Sequence, residues 1–109
     1  MTLEKVGVLA GDVANLSGAD LSADRTRLAV DTHTALYIYQ AGNPSADGAA
    51  LVADLISRPP AWTVQLGGGQ GGGGGRATNV EGVAFGWDSH DLNLLAENRD
   101  AYFVPAAVY

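Results

Sequence analysis

Hydrophobic and polar residues alternate most regularly between Thr26 and Gln40, with the period of two that is typical of a β-strand. One set of alternate positions, which runs from Leu28 to Ile38, is apolar or β-branched and would form one face. The other set carries Tyr37 and Tyr39. Thr32-His33-Thr34 either breaks this pattern into a hairpin or continues it. Residues 35–40 are expected to form a strand in both cases, because β-branched and aromatic side chains are common in strands.

Shorter apolar runs predict further strands at residues 5–10, 61–66, 79–87 and 101–104. Gly82 and Gly86 are interleaved in the run at 79–87, which predicts one β-bulge or close backbone approach within this strand. Residues 11–24 are rich in Gly, Asn, Asp and Ser, which predicts a long loop.

A helix is predicted over residues 46–57, with Ser45 as its N-cap. The apolar residues of this segment recur at helical spacing, so they would share one face: Leu51, Val52, Leu55 and Ile56. Pro59 and Pro60 would prevent the helix from continuing.

Residues 89–98 fit two structures. Asp88-Ser89-His90-Asp91 has the composition of a helix cap, and a helix after it would turn Leu92, Leu95 and Ala96 inward. Leu92-Asn93-Leu94 also alternates as a strand does. The predicted fold is therefore α+β or mainly β, a small single domain of short antiparallel strands with one or two helices and a glycine-rich loop.

The glycine-rich loop spans residues 67–75 and divides 1–66 from 76–109 within one domain, 1–109. Polyglycine typically forms a flexible linker. We favour a contact with another chain over such a linker, because glycine lacks the Cβ that keeps backbones apart. In that case the interface residues are Gly67, Gly68, Gly69, Gly71, Gly72, Gly73, Gly74 and Gly75. Arg76-Ala77-Thr78 follows instead of Lys-Ser or Lys-Thr, so a phosphate-binding loop is not expected.

Twelve acidic and six basic residues give a net charge of −6, which disfavours binding to nucleic acid. The chain has no cysteine, which excludes disulfides and thiolate metal ligands. No apolar run reaches the roughly 18 residues of a membrane span, and residues 1–16 do not resemble a signal peptide. We therefore expect a chain that binds neither nucleic acid nor membranes and needs no cofactor.

Both histidines have acidic neighbours: Asp31 precedes His33, and Asp88 and Asp91 flank His90. Such residues can bind a metal or act as a general base. Nothing in their spacing forms a recognised catalytic or metal-binding motif, and a turn or helix cap, which needs no ligand, is the favoured explanation of the residues around His90. No enzymatic activity is expected.

The remaining candidate interface residues are aromatic or apolar. Tyr37 and Tyr39 share one strand face, and the apolar tail after Pro105 ends in Val108 and Tyr109. A tyrosine offers an apolar ring and a polar tip, which suits a subunit contact. The tail is expected to pack, against a partner subunit more than against its own core.

These features favour a structural assembly protein that acts through protein–protein contacts. A phage virion component is the expected setting, either a capsid decoration protein or a subunit associated with the tail or fibre, with the cytoplasm as the alternative location. Its partners would be further copies of the chain, other structural proteins of the particle, or both. The alternatives are a small binding or adaptor module and, less favoured, a small hydrolase.

Overall fold

The computed structural model describes residues 2–43, 45–66, 80–97 and 99–109, without the side chain of Val108. The predicted glycine-rich loop at 67–75 lies outside these ranges. The described residues form a mainly β domain with one α-helix, which confirms the predicted fold class.

Two antiparallel sheets make up the domain. The first contains β1 (Gly18–Leu21), β2 (Arg27–Asp31), β3 (Ala35–Gln40) and β4 (Trp62–Gln65), in that order across the sheet. The second contains β5 (Val80–Phe85), β6 (Leu92–Ala96) and β7 (Ala101–Val104), again in chain order. Helix α1 (Gly48–Ile56) lies between β3 and β4 along the chain, and a 3₁₀ turn follows β7 at Ala106–Val108.

The main core lies between the two sheets. Alternate residues of each strand point inward, so a few small strands bury a continuous apolar cluster. Its buried members are Ala29, Leu36, Ile38, Leu66, Val80, Leu92, Leu94 and Val104. Because both sheets contribute to one cluster, separating the two sheets would expose the apolar inner face of each to water.

Helix α1 and the N-terminal segment cover the opposite face of the four-stranded sheet. Leu51, Leu55 and Ile56 of the helix are buried there against Leu9 and Leu28. The chain is therefore arranged in three layers: the helix with the N-terminal segment, then the four-stranded sheet, then the three-stranded sheet.

A hairpin joins β2 to β3, which resolves the two alternatives for residues 26–40. The Thr32 N–H donates to the Ala35 carbonyl at 2.9 Å, and the Thr32 Oγ1 accepts from the Ala35 N–H at 3.1 Å. The turn changes which residues share a face: Ala29 pairs with Ile38 and Leu28 pairs with Tyr39. The prediction that Leu28 and Ile38 lie on one face is therefore wrong.

Three details near the N-terminus and the helix also differ from expectation. Residues 5–10 form no strand; the segment is held instead by the Ala10 N–H, which donates to the Ile56 carbonyl at 3.0 Å. The predicted loop at 11–24 contains β1, an edge strand paired with β2. The N-cap of α1 is Asp47 and not Ser45, because the Asp47 carboxylate accepts from the Gly48 N–H.

The bulge predicted within the run at 79–87 is confirmed, and it lies at the Gly82 end, because the pairing of β5 with β6 shifts register between Val80 and Gly82. Of the two structures that fit residues 89–98, the strand is confirmed and the helix is not formed. Residues 92–96 form β6, in which Leu92, Leu94 and Ala96 are buried while the intervening side chains are exposed. Only a strand buries every second side chain while it pairs with two neighbouring strands, and the burial gained in this way outweighs the helical spacing of the leucines.

The C-terminal residue packs on its own chain. The Tyr109 ring meets the Trp62 ring edge-on, with centroids 5.7 Å apart, and the Arg27 guanidinium lies 4.4 Å from the Trp62 centroid and 5.5 Å from that of Tyr109. The Tyr109 hydroxyl donates to the His90 carbonyl. Tyr109 therefore has extensive contacts within its own chain, and its expected contact with a partner subunit stays a prediction.

Replacing this ring should therefore destabilise the monomer. Tyr109→Ala removes the contacts with Trp62 and Arg27, and we expect the free energy of unfolding to fall by about 2–3 kcal/mol, less than for a fully buried aromatic residue. Tyr109→Phe keeps the ring and loses only the hydroxyl, so about 1 kcal/mol is expected. Urea denaturation followed by circular dichroism measures both values. Equal stability of wild type and Tyr109→Ala would contradict the anchoring role.

Candidate interaction surface

Among the described side chains, the three tyrosines predicted to form an interface do not share one surface. Tyr37 is partly exposed and lines a polar hollow of about 480 Å³ with Asp12, Asn15 and His33. Tyr39 is fully buried, and its hydroxyl donates to the Ala10 carbonyl at 2.8 Å, which corrects the expectation that it faces a partner. The side chain of Val108 and the glycines at 67–69 and 71–75 lie outside the described part of the structure, so their predicted contacts stay predictions.

A polar cluster around His90 connects the two sheets. His90 Nε2 lies 2.8 Å from Asp24 Oδ2, so the turn between β5 and β6 is joined to the turn between β1 and β2. Burial raises the pKa of Asp24, but hydrogen bonds from Thr26 and Ser22 to the carboxylate outweigh this and leave the pKa well below its usual range. Asp24 therefore stays ionised, and its carboxylate can accept a hydrogen bond from His90.

The same cluster lacks the geometry of a nucleophilic triad. A hydroxyl nucleophile and the orienting carboxylate must contact different ring nitrogens of the histidine. Here Thr26 Oγ1, at 3.4 Å, and Asp24 contact the same atom, His90 Nε2. Ser89 Oγ accepts from the Asp91 N–H at 3.2 Å, as in an ordinary turn. The contacts support a clasp between two turns, and within the described ranges no three His, Asp or Glu side chains are placed to bind a metal.

Asp31 is an unusual carboxylate because it lies inside the sheet-to-sheet contact. The residue is fully buried, and within the described structure neither carboxylate oxygen accepts a hydrogen bond from another residue. A Cβ added at Gly18 would come within 2.9 Å of Asp31 Oδ1, so the carboxylate occupies the space that the glycine leaves. Burial, followed by the nearby Glu81 carboxylate, raises the pKa of Asp31 to about 6.

This pKa makes the stability of the fold depend on pH. In the unfolded chain the Asp31 carboxyl ionises near pH 3.8, whereas in the folded chain it stays protonated until about pH 6. The stabilisation is thus complete below pH 3.8 and is lost as the pH rises to about 6, by an amount on the order of 2–3 kcal/mol.

Asp31→Asn removes this titration. From pH 4 to pH 8, the unfolding free energy of the wild type should fall by about 2–3 kcal/mol more than that of the variant. Glu81→Gln serves as the control, because it removes the neighbouring charge and should move the transition to lower pH. Denaturation curves across this range provide the measurement, and parallel pH profiles for wild type and Asp31→Asn would refute the assignment.

The outer face of the three-stranded sheet is apolar. Two rows of side chains run across the strands there: Ala84, Asn93 and Phe103 in one, and Gly82, Leu95 and Ala101 in the other. Neither row contains a charged residue. Leu95 and Phe103 are each 60% exposed, although residues of this type are usually buried. We call these six residues the outer face.

The outer face has a raised and a recessed part. Phe103 on β7 and Leu95 on β6 project, whereas β5 contributes only Gly82 and Ala84. A Cβ placed on Gly82 would meet nothing within 4 Å, and a hollow of about 440 Å³ opens over this part of the sheet. Charged residues occur at its border, in the β6–β7 turn, at Glu97, Arg99 and Asp100. An apolar centre with a polar rim is typical of protein contact surfaces.

A second apolar surface lies on the opposite side of the molecule. It is a groove of about 430 Å³ between α1 and the first two strands, and its lining includes Leu9, Leu28, Val30 and Ile56. Leu16 and Val52 at its border are 49% and 39% exposed.

Sequence reasoning missed the outer face because residues 92–98 were equally compatible with a helix, in which Leu95 would be buried. The alternation of a strand alone would have placed Leu95 on the other face of the sheet from Leu92 and Leu94, and Phe103 on the other face from Val104. The informative signal was therefore two large apolar residues at outward positions of adjacent strands.

Comparisons with protein families, curated proteins and solved structures found no match. Among the described residues, no helix has the length and apolar character needed to cross a membrane. The function of the chain is therefore inferred from its surfaces.

Proposed function

We propose that this chain is a structural assembly subunit that acts through protein–protein contacts, with a phage virion as its setting. The observation that carries the proposal is the outer face, where Leu95 and Phe103 are exposed on a surface without charge. An apolar patch of this kind is stabilised when a partner removes it from water.

The composition is consistent with this role. The chain is small, acidic and free of cysteine, and its mainly β fold is built around one core shared by two sheets. The phage setting rests on this composition and on the glycine-rich tract. A capsid decoration protein and a tail-associated subunit both require contact surfaces and no catalytic centre.

The alternatives have less support. For a hydrolase, the best cluster is that of Asp24, Thr26 and His90, and its contacts through a single ring nitrogen favour a structural clasp. A monomeric adaptor would also use an apolar surface, but it would not be a fixed component of a particle. An assembly subunit would thus occur in a fixed ratio to the other proteins of the particle, whereas an adaptor would not.

The proposal is tested on virions purified from the natural source of the protein. Quantitative mass spectrometry should find the chain in a fixed ratio to the major shell protein. Hydroxyl-radical footprinting should then show at least fivefold slower oxidation of Phe103 in the particle than in the isolated chain, diluted until sedimentation shows only monomer, because a partner covers the ring in the particle. Leu3, which is 87% exposed and distant in sequence from the outer face, serves as the internal control.

Absence of the chain from such particles would overturn the virion setting. Equal oxidation of Phe103 in the particle and in the isolated chain would overturn the use of the outer face as the contact.

A further inference from the structure

We infer that the outer face binds the outer face of a second copy of this chain, forming a symmetric dimer. This inference rests on the proposed function and names the partner for it. Three properties of the surface support a second copy as the occupant: its shape, its charge and its single polar residue.

The shape of the face is complementary to itself. Consider a two-fold axis that runs parallel to β6 between two facing sheets. This operation places β7 of one copy over β5 of the other, and each row of side chains over the same row. The projecting Phe103 then lies over Ala84 of the second copy, and Ala101 lies over its Gly82. Leu95, on the central strand, meets Leu95.

The charge distribution leaves the outer face as the place where two copies repel one another least. Each chain has a net charge of −6, so two copies repel one another over most of their surfaces. The outer face is a region without charged side chains, where two acidic copies can approach closely. A strongly basic partner would instead be expected to bind where acidic side chains are concentrated, such as the turn with Asp88 and Asp91.

Asn93 is the only polar residue of the outer face, and it lies on the central strand. The two-fold axis therefore places it opposite its own copy. An amide side chain both donates and accepts hydrogen bonds, so two asparagines can pair with each other. A carboxylate or an ammonium group at the same position could not pair with itself in this way.

The size of the face sets the expected affinity. Three strands and five residues of length give a footprint of about 14 by 17 Å, and on the order of 400–500 Å² of accessible surface per copy. Tight complexes bury about 800 Å² per partner. We therefore expect a dimer that dissociates on dilution, with a Kd of about 1–100 μM.

Sedimentation velocity of the full chain between about 1 and 300 μM tests this. The wild type should change from monomer to dimer across the range. Asn93→Asp and Asn93→Lys each place two like charges at the axis, so each variant alone should associate at least tenfold more weakly. An equimolar mixture of the two should restore a dimer, because opposite charges then meet.

Restoration by the mixture is specific to a contact in which position 93 meets itself. If both variants dissociate and their mixture does not recover, the outer face contacts a different surface, such as the groove beside α1, and the symmetric dimer is overturned. Leu3→Asp adds the same charge as Asn93→Asp at another exposed site and should associate like the wild type. Circular dichroism checks that each variant is folded, which is expected because Asn93 is exposed.

A wild type that remains monomeric at 300 μM also overturns the inference. Protection of Phe103 in the virion would in that case leave the proposed function standing, with another protein as the partner. Failure of the dimer and failure of the proposed function are thus separated by the two experiments.

Discussion

The structure depends on one shared apolar cluster between two small sheets. Leu36 and Ile38 come from one sheet, and Leu92 and Leu94 come from the other. Because side chains alternate along a strand, filling this core fixes which residues must face away from it. In the four-stranded sheet, those residues are covered by α1 and the N-terminal segment. In the three-stranded sheet, they form a surface on which Leu95 and Phe103 are largely exposed, and the proposed activity follows from that asymmetry.

Much of the fold could be predicted because its signals are local. The strand at 35–40, the helix that ends before Pro59 and the bulge at Gly82 each depend on the residues within them. The errors occurred where tertiary contacts decide the conformation. Residues 92–96 match a helix and a strand equally well, and only the neighbours β5 and β7 select the strand. Residues 5–10 have the composition of a strand, but they pack against α1 instead.

The candidate site was less predictable than the fold. Aromatic residues were expected to make contacts with a partner, yet Tyr39 and Tyr109 use their rings and hydroxyls within the chain. A sequence shows that a tyrosine suits an interface, but it does not show whether the other side of that interface belongs to the same chain. The outer face depends on cross-strand registers between β5, β6 and β7, which are long-range properties.

The close packing of Gly18 against Asp31 has an evolutionary consequence. A methyl group at position 18 would meet Asp31 Oδ1 at 2.9 Å, so a larger residue at 18 displaces the buried carboxylate unless a smaller residue stands at 31. Conversely, replacing Asp31 by alanine leaves a space that a side chain at 18 can fill. The effects of substitutions at these two positions are therefore not additive. Among descendants of this chain, a larger residue at 18 should therefore occur mostly together with a smaller one at 31, because that pair leaves no buried carboxylate to displace.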